Sequence, residues 1–244
     1  MPRHQRRHGR RAVLILAGAL AAALLAGCTA APATVEAGRV QTLYNVFLAA
    51  AAFVFVVVAG LIGWSIVRYR ARPGDSALPP QIKANNLLEV VWWALPTALV
   101  IGLFVYTTIV LNTNSAPTSN PAVQVKVEAF QWQWRFTYPS ENVVITGTRT
   151  DYPELVLPVN EVVDFQLVSD DVIHSFFIPH FLVKKDVIPG VDGHLQLTID
   201  QEGTYAGQCA EFCGLYHHEM HFSIRAVSQS EFTTWLAGQP RSSP

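Results

Sequence analysis

Apolar positions divide the 244-residue chain into three textures. Residues 12–26 are a short apolar stretch, too brief to span a bilayer well. Residues 43–67 form a nearly unbroken apolar run and residues 90–111 a second, and each meets the ~20 residues a membrane helix needs. From about residue 117 the pattern turns to short alternating runs. Val123, Val125 and Val127 interleave with Gln124, Lys126 and Glu128, the period of two of a half-buried strand. Residues 162–168, 195–199, 204–208 and 222–227 read the same way, set apart by Pro, Gly, Asn and Asp. Many short strands predict a β-sandwich or barrel over residues 117–228. A helix and tail close the chain over 229–244, with Ser228 and Glu231 as a capping box and Gly238 and Pro240 as the stop.

Charge gives these segments a direction. Arg3, Arg6, Arg7, Arg10 and Arg11 precede the first apolar stretch, which ends in Leu25-Ala26-Gly27-Cys28. A basic start, a short apolar core and small residues at the end predict an export signal over 1–27. Its ending resembles the bacterial lipoprotein signal, in which Cys28 becomes the lipidated first residue, followed by an extracytoplasmic linker over 28–42. A plain signal peptide with an incidental cysteine is the alternative, and the flanks of Arg10-Arg11 do not support twin-arginine export. The loop over 68–89 holds Arg68, Arg70, Arg72 and Lys83 against Asp75 and the boundary Glu89, so the positive-inside bias puts it in the cytoplasm and both flanks outside. Trp92 and Trp93 mark one membrane interface, and Pro96 is tolerable where neighbouring helices cover the freed carbonyl. A buried core hairpin is the competing reading, but two runs of this length in succession argue against it. Only 14% of residues are charged, against about 25% in ordinary soluble domains. From Ser115 onward 7 Lys and Arg stand against 15 Asp and Glu, a net of −8. That balance argues against nucleic acid and suits a basic protein partner, although ordinary solvation yields the same count.

The chemistry is concentrated in Cys209-Ala-Glu211-Phe-Cys213-Gly-Leu-Tyr-His217-His-Glu-Met220, a loop between two strand-like runs. Thiolates, an imidazole and a thioether make a soft ligand set that selects copper over hard cations. A mononuclear blue-copper site takes one Cys, two His and a weak axial Met. Here His174, at the end of a strand-like run, can supply the distant histidine, and the second thiolate lets the scaffold hold two bridged coppers. Two cysteines in an exported domain are often a disulfide. Zinc accepts Cys and His but has no use for Met220. Haem c is excluded because no Cys-x-x-Cys-His occurs. His180, His194, His218 and His221 are not needed by the site.

The loop resembles the CuA motif of cytochrome c oxidase subunit II, Cys-x-Glu-x-Cys-x3-His-x2-Met, and the resemblance extends over almost the whole chain. It implies a membrane-anchored α+β fold: a two-helix transmembrane hairpin followed by a cupredoxin-like β-sandwich. It implies two copper ions held by His174, Cys209, Cys213, His217 and Met220 and by the backbone carbonyl of Glu211. The Glu211 carboxylate then matches the ligand of a magnesium shared with subunit I, which carries the haems. Trp132, in Gln131-Trp132-Gln-Trp134, matches the tryptophan where electrons arrive from cytochrome c. Glu89 matches the glutamate at the mouth of a proton pathway into subunit I, with helix capping as the plainer alternative. Asp170 and Asp171 match an acidic patch that docks cytochrome c. The expected setting is a bacterial plasma membrane, with the copper domain outside and other oxidase subunits as neighbours. Phe176 stands where many relatives carry Trp, which puts any electron role of that position in doubt. A quinol oxidase subunit II would lack the copper ligands. A nitrous-oxide reductase domain would lack the hairpin, and a copper chaperone would need neither two spans nor six ligands.

Overall fold

The computed structural model describes residues 31–70, 74 and 80–241. The export signal and Cys28 lie outside the described residues, as do Arg72 and Asp75 of the hairpin loop and the last three residues of the tail. Two long helices come first. Helix α1 (Val35–Arg68) has 34 residues and is capped by Thr34, whose hydroxyl accepts from Ala37 N at 3.0 Å. Helix α2 (Asn86–Ser115) has 30 residues and is capped by Asn85, whose side chain accepts from Leu88 N at 3.1 Å. Their most apolar 18-residue windows have mean hydropathy 2.8 and 2.1 and are 0% and 6% buried. An apolar surface left open at this length is what a bilayer covers.

Both helices overrun the apolar runs that predict them. The extra turns of α1 are held by polar contacts rather than by lipid-facing residues. Glu36 Oε2 accepts from Thr198 N at 3.0 Å, Asn114 Nδ2 donates to Glu36 O at 3.3 Å, and Arg39 Nη1 donates to Asn114 Oδ1 at 3.2 Å. Thr34 and Ala37 are buried there. The helix hairpin is thereby tied to the strand domain through the first turn of α1 and the last turn of α2. Helix α2 runs on through Pro96, and the Thr97 hydroxyl bonds the Trp93 carbonyl at 2.8 Å.

Ten strands follow: β1 (Val123–Phe130), β2 (Gln133–Tyr138), β3 (Val143–Thr146), β4 (Glu154–Pro158), β5 (Val162–Ser169), β6 (His174–Ile178), β7 (Val183–Val187), β8 (Gly193–Thr198), β9 (Gly203–Cys209) and β10 (His221–Val227). They form two five-stranded sheets, ordered β3-β2-β1-β5-β8 and β4-β10-β9-β6-β7. Pairing is antiparallel except for β1 with β5 and β4 with β10. The alternation of β1 puts Val125, Val127 and Ala129 in the core between the sheets. Phe176 and Phe222 stack there at 4.7 Å, with Trp134 edge-on to both. Phe176 is fully buried, so its place is in the core. Tyr138 is also buried; its hydroxyl donates to Val156 O at 2.6 Å and accepts from Val156 N at 3.1 Å. Helix α3 (Gln229–Ala237) is capped by Ser228, which accepts from Glu231 N at 3.3 Å. The Glu231 carboxylate accepts from Arg225 Nη1 at 2.7 Å.

Candidate metal centre

Three backbone features converge at one end of the second sheet. Strand β9 ends on Cys209, whose N–H donates to Met220 O at 2.9 Å, so the loop between them is closed at its base. On the other side Cys209 pairs with Phe176 of β6, and Ala210 N donates to Ser175 O at 3.1 Å. His174 is the first residue of β6, instead of ending the preceding strand-like run as the sequence suggests. Strand β5 stops at Ser169 and the chain turns through Asp170–Ile173, bringing His174 beside Cys209. Within the loop Gly214 adopts φ +121°, a conformation that L side chains rarely adopt. His217 N bonds Gly214 O at 3.2 Å and a single 3₁₀ turn (His217–Glu219) delivers Met220 back into the core.

These elements gather soft donors around the sulfurs of Cys209 and Cys213, which lie 3.9 Å apart. A disulfide needs about 2.05 Å, so both thiols are free. The gap is less than twice a metal–thiolate bond of ~2.3 Å, so one ion can touch both. His174 Nδ1 is 3.9 Å from Cys209 Sγ, and Glu211 O is 3.3 Å from the same sulfur. His217 Nδ1 is 3.6 Å and Met220 Sδ 3.9 Å from Cys213 Sγ. His174, Cys209, Cys213 and Met220 are buried. Sulfur and imidazole donors in a dry pocket fit copper and leave no place for a hard cation among the thiolates. The His174, Cys209 and Cys213 cluster, with all ligand atoms within 4.8 Å, is the one such group among the described residues.

The charges reinforce the arrangement. Asp171 Oδ1 lies 2.9 Å from His174 Nε2, and the same carboxylate accepts from Gln131 N at 2.7 Å and Val172 N at 2.6 Å. A carboxylate can only accept, so Nε2 carries the proton and the Nδ1 lone pair is left facing Cys209. Burial pushes the Asp171 carboxyl up, but the bonds from His174, Gln131 and Val172 outweigh it and hold it below 3.8. Burial pushes His174 down, and Cys209 and Asp171 together raise it above 6.5. The Cys209 thiol is pushed up by burial yet held below 9.0 by His174 and by the peptide groups of Glu211 and Ser175. Burial and the neighbouring Cys209 push the Cys213 thiol up to about 12.

The remaining sequence-predicted residues fall in distinct places. Trp132 lies on the loop: its indole Nε1 donates to Cys213 O at 3.2 Å, and Gln131 Nε2 donates to the same oxygen at 2.8 Å. Asp170 is exposed, whereas Asp171 is committed to His174 and Gln131. The Glu211 carboxylate accepts from Lys184 Nζ at 3.3 Å. Glu89 is exposed in the first turn of α2, far in sequence from the loop, and the capping place is taken by Asn85. Asp171 as a partner of His174 and Gln131 as a partner of Cys213 are functions the sequence reading missed. The Asp-x-x-His spacing is the signal from which the first could have been drawn.

Comparison with known proteins agrees with this geometry. Residues 148–227 match the family described as cytochrome C oxidase subunit II, periplasmic domain, and residues 27–109 match its transmembrane domain. A probable cytochrome c oxidase subunit 2 of Nocardia farcinica is 31% identical, over 93% of this chain and 80% of that protein. One of Streptomyces avermitilis is 33% identical, over 96% and 88%. Among solved structures, the periplasmic domain of cytochrome oxidase subunit II of Bradyrhizobium japonicum is 31% identical, with a TM-score of 0.46 over 50% of this chain and 96% of that one. With both halves of the family pattern matched and the copper-fitting cluster in its loop, the chain belongs to the cytochrome c oxidase subunit II family.

Proposed function

We propose that the chain accepts electrons from cytochrome c at a binuclear copper centre. From there they pass to the haems of subunit I, where oxygen is reduced to water and protons are pumped. The observation that carries this reading is the convergence of His174, His217, Met220 and the Glu211 carbonyl on two sulfurs 3.9 Å apart. When bound, the copper pair supplies a one-electron store shared across both thiolates. The protein's own residues hold that store still. The β9–β10 ladder fixes Cys209 and Met220, Asp171 fixes the tautomer and tilt of His174, and burial excludes water that would otherwise reorganise with each electron.

Trp132 is the residue that receives the electron. Its support is the hydrogen bond from its indole to the carbonyl of Cys213, which joins a partly exposed ring to a ligand's own backbone. Asp170, exposed on the acidic half of the chain, steers a basic cytochrome c toward it, while Asp171 acts through His174. The Glu211 carboxylate holds the magnesium shared with subunit I, giving up its contact with Lys184 for the metal. Glu89 takes up protons at the cytoplasmic end of α2, a role supported by Asn85 having taken the cap. The copper domain faces outward from the plasma membrane, by the charge of the hairpin loop, and Cys28 is lipidated. The test is rapid mixing of the assembled oxidase with ferrous cytochrome c. Trp132→Phe should slow copper reduction many-fold without weakening the complex; a wild-type rate would remove Trp132 from the route.

A further inference from the structure

One aromatic residue of the copper loop is not a ligand and yet is gripped from two sides. The Tyr216 ring meets Trp132 edge-on, with centroids 5.0 Å apart and planes at 84°. The Arg149 guanidinium lies 4.0 Å from the Tyr216 ring centroid, and its Nη1 is 3.8 Å from Glu219 in the same loop. Arg149 comes from the β3–β4 connection, which is built to present it. Thr148 N bonds Asp151 O at 2.7 Å and Asp151 N bonds Thr148 Oγ1 at 3.0 Å. A Cβ at Gly147 would collide with the Pro153 ring, so the turn is tight from its first residue. A second contact from the same connection, Tyr152 against His221 at 5.2 Å, seats it beside the end of the copper loop.

Trp132 needs such support. Its bond to Cys213 O is 3.2 Å, at the long end of the N–H···O range, and Gln131 Nε2 takes the same acceptor at 2.8 Å. Gly214 keeps the loop backbone against the indole: a Cβ there would stand 3.2 Å from Trp132 Nε1 and Cζ2. A ring on one shared hydrogen bond, open to solvent on part of its surface, is free to swing unless its flank is filled. Tyr216 fills it, and Arg149 holds Tyr216 in place while Glu219 offsets the guanidinium charge on a face that must receive a basic protein.

We propose that Tyr216, clamped by Arg149, is a positioning residue for electron acceptance: it keeps the Trp132 indole on the Cys213 carbonyl and so sets the rate of transfer from a docked cytochrome c. This rests on Trp132 being where electrons arrive. The step itself moves one electron: the donor's ferrous haem becomes ferric, the copper centre is reduced by one, and no bond or proton moves. Tyr216 is not oxidised.

The experiment uses the assembled oxidase with Tyr216→Leu, Tyr216→Phe, Arg149→Met and Arg149→Lys. Tyr216→Leu should slow transfer within the bound complex by roughly two- to tenfold, the population shift that losing an aromatic pair produces. Donor affinity, the copper spectrum and the copper-to-haem step should be unchanged. Tyr216→Phe should restore the rate; Arg149→Met should slow it less, and Arg149→Lys should recover part of that loss. In the copper-free chain, hydrogen exchange of the Trp132 indole N–H should accelerate in the same order, a change a merely structural residue distant from Trp132 would not give. Wild-type transfer and exchange in Tyr216→Leu overturn the proposal while Trp132→Phe remains slow. If Trp132→Phe is itself wild type, the reading beneath it fails instead. Should Tyr216→Leu lose copper, Arg149→Met, which lies outside the ligand loop, decides: a normal rate overturns the clamp.

Discussion

Replacing Asp171 separates two uses of one carboxylate. Its bonds to His174, Gln131 and Val172 measure 2.9, 2.7 and 2.6 Å. In Asp171→Ala, Gln131 and Val172 are exposed enough for water to replace the lost acceptor. His174 is fully buried, so its Nε2–H stays unpaired, at a cost of ~1–3 kcal/mol to the folded chain. Asp171→Asn retains an acceptor oxygen without the charge and should cost about half as much. Loss of a carboxylate behind a metal-bound imidazole typically weakens metal binding by about 10–100-fold, and that is the drop in copper affinity expected for the alanine variant. Copper titration against a competing chelator measures it, with Asp170→Asn as the control that keeps His174 paired. Asp170→Asn should slow cytochrome c association and flatten its salt dependence without touching copper affinity. If Asp171→Ala binds copper as tightly as the wild type and loses only donor association, Asp171 is a docking charge and the positioning argument is wrong.

Three other outcomes follow from the same geometry. Cys209→Ser or Cys213→Ser should abolish the shared centre, since each sulfur touches several donors, whereas Met220→Leu should retain copper with a shifted potential; equal copper loss in all three, measured by metal analysis, would contradict the ranking. Glu89→Gln should slow oxygen turnover while copper reduction by cytochrome c proceeds normally, and wild-type turnover across the neutral range would remove it from proton uptake. In the copper-free protein the raised His174 value stabilises the fold fully below pH 6.5 and fades as pH rises through the folded value; the depressed Asp171 value stabilises it above pH 3.8 and fades as pH falls through the folded value. Denaturant midpoints should therefore be higher between those limits than above the folded His174 value, with the difference reduced in Asp171→Asn.

The membrane helices were legible because a lipid-facing segment must be apolar all round, and residues 43–67 and 90–111 are. Their outer turns were not, because Thr34, Glu36 and Arg39 are held by Ala37, Thr198 and Asn114, partners that sequence cannot pair. Strands β1, β5, β8, β9 and β10 carried a period of two or a compact apolar run. Strand β4 is buried at four successive positions, Leu155–Pro158, and β7 is exposed at three, so neither alternates. The donors proposed for copper could be picked out from spacing because five lie within one loop. The partner of His174 was hidden by its chemistry: an aspartate among fifteen acidic residues after Ser115 looks like surface charge until the fold brings the buried His174 ring against it. The same holds for Arg149, whose place over Tyr216 depends on a turn distant in sequence.

Everything proposed for electron entry depends on two thiolates 3.9 Å apart sharing a copper pair. The most direct measurement is the electron spin-resonance spectrum of the fully copper-loaded, oxidised protein together with its copper content. Two coppers per chain and one unpaired electron divided equally between them are expected, with hyperfine structure from both nuclei. A single copper with its electron confined to one nucleus, or thiols that hold zinc in preference, would contradict it.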